Sequence, residues 1–538
     1  MATSLDESMS GDTKDLTKVQ SWEEIAQAIR TDLDTIVEPS DDKLLEFERR
    51  VRDYRKEKSS FKHQQNLREV PPPIISEEWS QLHKESKNLL MRKLQLTECN
   101  TWSSQLKLCL LSFAIFPENS IIKKRISQRG DKTAEQVGEE VYNELIKEGL
   151  IEADDNDPSP LMNRCKMHPW IRYMLISVAE EAGFFYFESK NISSPEVLQK
   201  CSLSSSHLHL IVGGEYRLPQ RKLGEHESTV FNVNQNYLSL PPDWLSNTKR
   251  LMVLQLGRWL HSPMHHIEVD DQRFLDDLFH HKQLKLLSLR GISRITSLPD
   301  SIVQLVNLEI LDLRACHNLE KLPEDIASLK KLTHLDVSEC YLIERMPKGT
   351  EKLSSLQVLK GFVIGTARKN PCRIGDLRKL TKLIRLSIYI GRGAAIRDEE
   401  FESLKEVASL RSLTISWGVT SLGLQPILEI NQFLPQQLEK LELIGIPVER
   451  IPKWLDLLKL KNLKKLYIIG GKLASWDHQE KNEQWSVEML RLKHLTKLSI
   501  GNMEDVLKRF PRLGYFEKIN CADNNILWYK SRPVTKGL

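Results

Sequence analysis

The chain has 538 residues, of which 77 are basic and 73 acidic, so its formal net charge is only +4. This length exceeds what one hydrophobic core supports and predicts several domains, or a domain followed by a repeat array. The balanced charge argues against general attraction to nucleic acid. The eight cysteines show no C-x-x-C or Cys/His ligand spacing, which argues against a zinc site and a disulfide framework. We therefore predict no bound metal, no cofactor and a reducing compartment.

The N-terminal segment, MATSLDESMSGDTKDL, is polar and acidic and lacks the apolar core of a signal peptide. The longest nearly apolar run, residues 106–116, is too short to cross a bilayer. These features predict a protein without a membrane span that is located in the cytoplasm, with the nucleus open as a second location.

Residues 1–75 are predicted to form a partly disordered helical region. A capping box begins at Ser21, and Ile25, Ile29 and Leu33 follow it at helical spacing. A second amphipathic helix is predicted after Ser40, and a run of prolines then ends the region. The two helices can pack together or against a helix of a partner.

Residues 76–190 are predicted to form a winged-helix domain. Helices are predicted from Ser76, over the apolar stretch 103–116 and over residues 134–149. The turn-rich sequence DDNDPSP lies between two short apolar segments and predicts a hairpin, after which Pro169 can begin another helix. Helices followed by a two-stranded wing are typical of this fold.

Residues 191–225 are predicted to be a Ser-rich linker, and residues 226–538 a leucine-rich-repeat domain. Between Leu284 and Leu359 the pattern L-x-x-L-x-L returns every 24 residues. Each copy is a short strand followed by a return segment. One copy cannot bury its own apolar face, so the copies must stack into a solenoid.

The first repeat is predicted at residues 229–233, with Phe231 in the phase of Leu254. Beyond Leu359 the spacing lengthens, and the last full repeat is predicted with its strand at residues 495–500, before a capping strand at 515–520. The predicted fold class is therefore α/β: a horseshoe-shaped solenoid of about 11 repeats, preceded by the helical segment and the winged helix.

Two further residue types recur at the same spacing. Cys316 and Cys340 occupy the Asn/Cys position of consecutive repeats, which predicts buried thiols. Prolines recur where the chain leaves each strand, a place that needs no backbone donor. They are Pro299, Pro323 and Pro347.

Three sequence stretches resemble one protein family. QLKLCLLSFAIFPENSIIKK at 105–124 resembles the start of the winged-helix domain in plant intracellular nucleotide-binding leucine-rich-repeat disease-resistance proteins of the coiled-coil class. CKMHPWIRYMLISVA, from Cys165, is similar to that family's Met-His-Asp motif, and LQVLKGFVIG at 356–365 resembles a junction inside its repeat array. The three stretches occur in family order, which implies a protein of plant defence.

In the resembled family an ATPase module precedes the winged helix. This sequence contains no G-x-x-x-x-G-K-[ST] loop, so a nucleotide-driven switch is not carried over and the module is predicted to be missing. The resemblance implies that His168 is a contact for bound ADP. Pro169, however, replaces the Asp of the motif, and an inherited structural role for His168 is the alternative.

Strand alternation places one set of side chains on the face opposite the leucines. We predict this face to be the partner-binding surface, with mixed charge in the early repeats and a lysine ladder, Lys440, Lys465 and Lys497, in the late ones. The ladder either keeps the sheet soluble or binds an acidic protein or a phosphorylated ligand. The predicted partner-binding residues are Arg290, Asp312, Arg314, Asp336, Arg385, Tyr389, Trp417, Lys440, Lys465, Tyr467 and Lys497.

The leading functional hypothesis is a non-enzymatic defence protein that recognises a pathogen effector, a guarded host protein or another immune receptor. One alternative is a nucleic-acid-binding regulator that uses KKRISQR at 123–129 in the winged helix. Another is a ubiquitin-ligase substrate receptor whose N-terminal helices bind an adaptor.

Overall fold

The structure is a computed structural model of the 538-residue chain. It describes isolated stretches between residues 110 and 225, and then, with short gaps, residues 228–258, 266–365, 371–394, 401–418, 434–475, 485–522 and 525–529. The helices predicted within residues 1–75 lie outside the described residues.

One compact unit contains residues 140–150 and 167–182. Its helix at residues 142–147 is followed by Gly149, which adopts a left-handed φ of 68°. The Gly149 and Leu150 N–H groups donate to the carbonyls of Ile146 and Leu145, each at 3.0 Å. This is how a glycine ends a helix, and the helix predicted over 134–149 ends there.

The second unit contains a small three-stranded sheet in the order β1–β3–β2. Its strands are β1 (Ile122–Lys123), β2 (Ile151–Ala153) and β3 (Arg164–Met167). β2 and β3 flank DDNDPSP and are neighbours in this sheet, as the predicted hairpin requires. The winged-helix domain as a whole stays a prediction.

The main feature of this unit is a sheet that has 15 strands within the described residues. Fourteen of them are parallel, and the last, β20, is antiparallel to β19. The strands, in spatial order, are β4 (Tyr186–Glu188), β5 (Leu208–Ile211), β6 (Thr229–Asn232), β8 (Val253–Gln255), β10 (Leu286–Ser288), β11 (Ile310–Asp312), β12 (His334–Asp336), β13 (Val358–Ile364), β14 (Arg385–Ile390), β15 (Ser412–Trp417), β16 (Lys440–Ile446), β17 (Lys465–Gly471), β18 (Met489–Lys493), β19 (Tyr515–Ile519) and β20 (Ile526–Tyr529).

The second leucine of each repeat stacks on its counterpart in the next strand. Leu311 is in register with Leu335, and Leu441 with Leu466, and all four are at most 1% exposed in one apolar core. The predicted leucine ladder is therefore confirmed. Parallel strands buried against their return segments explain why single copies could not fold alone.

Return segments are short turns of 3₁₀ helix rather than long α-helices. They begin after the recurring prolines: the Pro299, Pro323 and Pro347 carbonyls accept N–H groups three residues later at 3.0, 3.3 and 3.3 Å. The 3₁₀ segments are Gln272–His280, Asp300–Gln304, Ile326–Ser328, Thr350–Lys352, Ile374–Lys379 and Glu402–Glu406. An α-helix, Met503–Arg509, precedes β19, and β7 (Tyr237–Leu238) pairs with β9 (Glu268–Val269) on the return side.

The two predicted repeat cysteines are buried as expected. The Cys316 and Cys340 thiols donate to the Leu289 and Leu313 carbonyls of the preceding repeats, each at 3.1 Å. Cys521 approaches the Leu492 carbonyl at 3.6 Å in the same way. The Leu289 and Leu313 carbonyls also accept the N–H groups of Ile292 and Cys316, each at 3.1 Å, so these two thiols add a second hydrogen bond to a carbonyl that follows a strand.

The sheet differs from the sequence prediction at its start. β4 lies in the last residues predicted as the winged-helix domain and β5 in the predicted linker. Both strands extend the parallel sheet, which raises the strand number above the predicted repeat number. Val230, not Phe231, is in register with Leu254, and Val230 is fully buried while Phe231 is half-buried. The prediction of Phe231 as the core residue was wrong by one position, because a short strand with two adjacent apolar residues does not fix which one faces inward.

The last full repeat also differs from its prediction. Lys465 is in register with Met489, so the strand is β18, with Met489, Leu490 and Leu492 as its buried residues. Leu495 and Leu498 are buried too, but they follow the strand. Apolar spacing alone could not separate a strand from the return segment behind it.

Candidate interaction surface

The side chains on either side of the second leucine form an open surface on the main sheet, here called the sheet face. In β14, β15 and β16 buried and half-buried residues alternate from the first position. The sheet face is therefore made of half-buried rather than fully exposed side chains, whose orientations are fixed by their neighbours.

In the early repeats the charges on the sheet face are compensated within the sheet. The Lys360 ammonium lies 2.9 Å from the Asp336 carboxylate, and Arg314 forms an ion pair with Glu339. Burial alone would raise the pKa of Asp336, but Lys360 and a hydrogen bond from the Ser338 N–H hold it below its usual range. The pairs keep these carboxylates charged despite their burial.

Asp312 and Arg290 complete this early group. Burial and the neighbouring Asp336 raise the pKa of Asp312, while the Arg314 N–H, at 3.1 Å, stabilises its charged form. Burial and Arg314 lower the pKa of Arg290, and Asp312 and Asp336 oppose that change. Cations and carboxylates alternate in this region, so the positive and negative charges of the early sheet face offset one another.

An aromatic row runs beside the early charges. His266 lies edge-on to His317 at 5.4 Å, His317 stacks on Tyr341 at 5.9 Å, and Tyr341 meets Tyr389 at 6.2 Å between ring centroids. Of these four residues, only Tyr389 was predicted from the sequence to lie on the sheet face. Tyr341 is 61% exposed, which suits an amphipathic contact residue.

The late repeats carry four cations on three adjacent strands: Lys440 on β16, Lys465 on β17, and Arg491 and Lys493 on β18. Lys440 lies 4.7 Å above the Tyr467 ring and Arg491 lies 5.0 Å above it. Burial raises the pKa of Tyr467 to about 12, so the ring remains a neutral phenol between the two cations.

Trp417 and Lys497 were predicted on the sheet face, and both predictions were wrong. Trp417 is 5% exposed and continues the inward series of Leu413 and Ile415, because β15 extends far enough to include it. Lys497 follows β18 and forms an ion pair with Glu449 at 3.5 Å, so it does not extend the lysine ladder. Met489 stands next to Lys465 instead, and Arg491 and Lys493 were missed because the strand had been placed too late.

The other predicted residues lie where strand alternation placed them. Arg385, Lys440, Lys465, Asp312, Asp336, Tyr389 and Tyr467 occupy half-buried positions on their strands, and Arg290 and Arg314 follow theirs. His168 is half-buried directly after β3, and its carbonyl accepts the Arg172 N–H at 3.0 Å. A nucleotide role for His168 stays a prediction.

One group of possible metal ligands, Glu351, Cys372 and Asp376, occurs among the described residues. Its atoms are already used by the protein. Glu351 accepts the Gly349 N–H at 2.8 Å, and Asp376 accepts the Lys348 ammonium at 2.9 Å. Burial raises the pKa of the Cys372 thiol, which favours the protonated form over the thiolate that a metal needs. The arrangement therefore reads as a hydrogen-bonded cluster.

Among the described residues, no helix combines the length and the apolarity that crossing a bilayer requires.

The sequence matches the family model described as a leucine-rich repeat region over residues 229–518. It is 29% identical over 434 residues to disease resistance RPP13-like protein 4 of Arabidopsis thaliana, covering 76% of this chain and 48% of that protein. It is 29% identical over 165 residues to disease resistance protein RPP8 of the same plant, covering 28% of this chain and 18% of that protein. The chain thus spans less than half the length of either relative.

Among solved structures, the chain is similar to the leucine-rich-repeat ectodomain of the plant membrane receptor kinase GASSHO1/SCHENGEN3 from Arabidopsis thaliana, in complex with CASPARIAN STRIP INTEGRITY FACTOR 2. The identity is 15%, the TM-score is 0.31, and the match covers 61% of this chain and 40% of that chain.

Proposed function

Because this chain belongs to the leucine-rich repeat region family and its relatives are plant disease-resistance proteins, we propose that it is a non-enzymatic defence protein that recognises another protein through its sheet face. The proposed partners are a pathogen effector, a guarded host protein or another immune receptor. The proposed location is the cytoplasm, with access to the nucleus.

One observation carries the proposal: the sheet face is continuous along parallel strands and presents ordered charged and aromatic side chains. Protein interfaces favour Tyr and Arg because these residues add contact area with little loss of conformational freedom. Arg314, Tyr389 and Tyr467 are half-buried on or beside the strands and are held by neighbours. A surface of this kind suits binding a macromolecule.

Two further features favour a protein partner over nucleic acid and over catalysis. The sheet face contains carboxylates at Asp312, Asp336 and Glu442 among its cations, which would repel a polyanion. The sequence also contains no P-loop motif for nucleotide hydrolysis.

The non-enzymatic part is tested by incubating the purified full chain with radiolabelled ATP and magnesium. We expect no turnover above the buffer control. Turnover that depends on the chain would contradict the proposal.

The recognition part is tested in infected plant tissue with the full chain fused to a proximity-labelling enzyme. The variant Tyr341→Ala/Tyr389→Ala alters the aromatic row, and the matched control Val306→Ala/Lys330→Ala alters exposed residues away from the sheet face. We expect the first variant to lose its labelled partners and the resistance phenotype while the control keeps both. Equal labelling and equal resistance with both variants would refute recognition through the sheet face.

A further inference from the structure

The late sheet face concentrates positive charge on β16, β17 and β18. Lys440 is in register with Lys465, and Tyr467 with Arg491, so the cations occupy neighbouring positions. Like charges on directly opposed positions of adjacent strands destabilise a sheet. The pairing of Lys440 with Lys465 is therefore not explained by stability. With Arg491 and Lys493 these two residues form what is here called the late cationic patch.

Local acids compensate three of these four cations. Lys440 lies 2.8 Å from Glu442, and Arg491 and Lys493 share Glu517 at 3.0 and 2.9 Å. Among the described residues, the Lys465 ammonium forms no ion pair and no hydrogen bond, although the Lys465 backbone N–H donates to the Glu439 carbonyl at 3.0 Å. Burial, Lys440 and Arg491 lower its pKa, whereas Glu439 and Glu488 act on it only from beyond ion-pair distance.

The patch is held in place before any partner binds. The Tyr467 ring makes cation–π contacts with both Lys440 and Arg491, and Arg491 also lies 5.2 Å from the centroid of the Tyr515 ring. Glu517 is only 5% exposed beneath Arg491 and Lys493. Cations fixed in this way lose little side-chain entropy on meeting an anion.

Apolar side chains lie farther along the same strands. Ile444 and Ile469 are in register and half-buried. A ligand that covers this area must therefore place carboxylates over Lys465 and apolar groups over the isoleucines. A bare polyanion would leave Ile444 and Ile469 unmatched and would approach Glu442.

We propose that the late cationic patch binds a short acidic segment of the partner protein, with carboxylates at Lys465 and apolar side chains at Ile444 and Ile469. This inference rests on the proposed function, since it names the chemistry of the segment that the sheet face recognises. Adjacent strands are about 4.8 Å apart and alternate side chains of an extended peptide are about 7 Å apart, so carboxylates at alternate positions can reach Lys465 and one flanking cation.

The test measures fluorescence anisotropy of a labelled Glu/Leu peptide, titrated with the purified full chain. The peptide has Glu at alternate positions of its first half, Leu at the same alternate positions of its second half and Ser between them, so that Glu and Leu share one face of the extended chain. We expect Lys465→Met to weaken binding about tenfold or more, and the matched control Lys464→Met, which removes an exposed lysine one position earlier, to change it less than about twofold. Ile469→Ser should weaken binding as well. Thermal unfolding should show that Lys465→Met melts no lower than the wild type.

Three results would overturn the inference. They are no binding of the peptide up to about 1 mM, equal loss with Lys464→Met and Lys465→Met, or tighter binding of a phosphorylated Ser/Leu peptide or an oligothymidylate than of the Glu/Leu peptide. The proposed function is separable: if Lys465→Met retains the partners labelled in tissue while Tyr341→Ala/Tyr389→Ala loses them, recognition through the sheet face stands and the acidic segment does not.

Discussion

The early and late repeats share one core and carry two different surfaces. Leu311 and Leu466 occupy the same ladder and are equally buried. The early strands β10 to β12 are three residues long and their charges pair within the sheet, whereas β16 and β17 are seven residues long and carry adjacent lysines. In this solenoid, therefore, the core leucines and the charged side chains occupy alternate positions of the same strands, and the charged positions differ between the early and late repeats while the core positions do not.

The change between the two regions occurs at β13. Its pairing with β14 shifts between Leu359 and Phe362, as a β-bulge requires. Gly361 has a φ of 78° there, and a Cβ on it would lie 2.5 Å from the Val337 carbonyl carbon, so only glycine fits. The LQVLKGFVIG junction is thus the place where the strands lengthen.

The largest expected effect tests whether the early and late parts of the shared core contribute equally to the free energy of unfolding. Leu335→Ala and Leu466→Ala should each lower the free energy of unfolding by about 2–5 kcal/mol, because each removes a fully buried side chain from a stacked ladder. Urea unfolding followed by circular dichroism measures this. Val306→Ala, at a residue that is 51% exposed, is the control and should cost less than about 0.5 kcal/mol. A large cost in only one of the two regions would break the comparison.

A smaller loss is expected from the early ion pair. Asp336→Asn should destabilise the fold by about 1 kcal/mol near neutral pH, because Lys360 keeps a half-buried charge without its carboxylate. The pKa of Asp336 is lowered in the folded state, so its contribution is present above the unfolded pKa and is lost as pH falls through the folded value. Thermal melts from pH 7 to about pH 3 should therefore converge for wild type and variant. A constant difference across this range would argue against the pair.

Backbone strain in the turn after the third leucine should also distinguish the early repeats from the late ones, with an effect on the free energy of unfolding similar in size to that of the ion pair. After the third leucine the chain turns at a positive φ, which Ala315 adopts at 59° in the early repeats and Gly445 at 72° in the late ones. Gly445→Ala should cost about 1 kcal/mol, since L side chains disfavour this conformation and the new Cβ would lie 3.0 Å from the Trp417 carbonyl oxygen. Ala315→Gly should change stability by less than about 0.5 kcal/mol, because relief of strain offsets the added chain entropy. Calorimetry of both variants measures this, and equal effects would show that the turn is not strained.

The smallest expected change has the opposite sign. Lys465→Met should raise the free energy of unfolding near neutral pH by a few tenths of a kcal/mol, since it removes a cation beside Lys440 and Arg491. The pKa of Lys465 is lowered on folding, so the gain should fade as pH rises through the folded value, where the wild-type lysine becomes neutral. Urea titrations at pH 7 and pH 9.5 test this. Destabilisation at pH 7 would mean that nearby carboxylates compensate Lys465, as they compensate the cations of the early sheet face.

The sequence by itself determined the ladder of leucines, the buried Cys316 and Cys340 and, apart from Trp417, the outward set from Arg290 to Tyr467. A strict 24-residue spacing leaves a single phase in which every repeat buries the same positions. Only the tertiary structure decided the phase of the last repeat, because Leu492 and Leu495 are both buried and the register with β17 alone shows which belongs to the strand.

Strand length was likewise settled by the packing of neighbouring strands. Trp417 follows the inward alternation of Leu413 and Ile415 only because β15 continues to it, whereas the early strands end before the equivalent position. A local pattern fixes which face a residue takes within a strand. How far the strand continues depends on hydrogen bonds to a neighbouring strand 24 or more residues away. The same strand pairing decides which residues lie beside Lys465 and where Arg491 is placed.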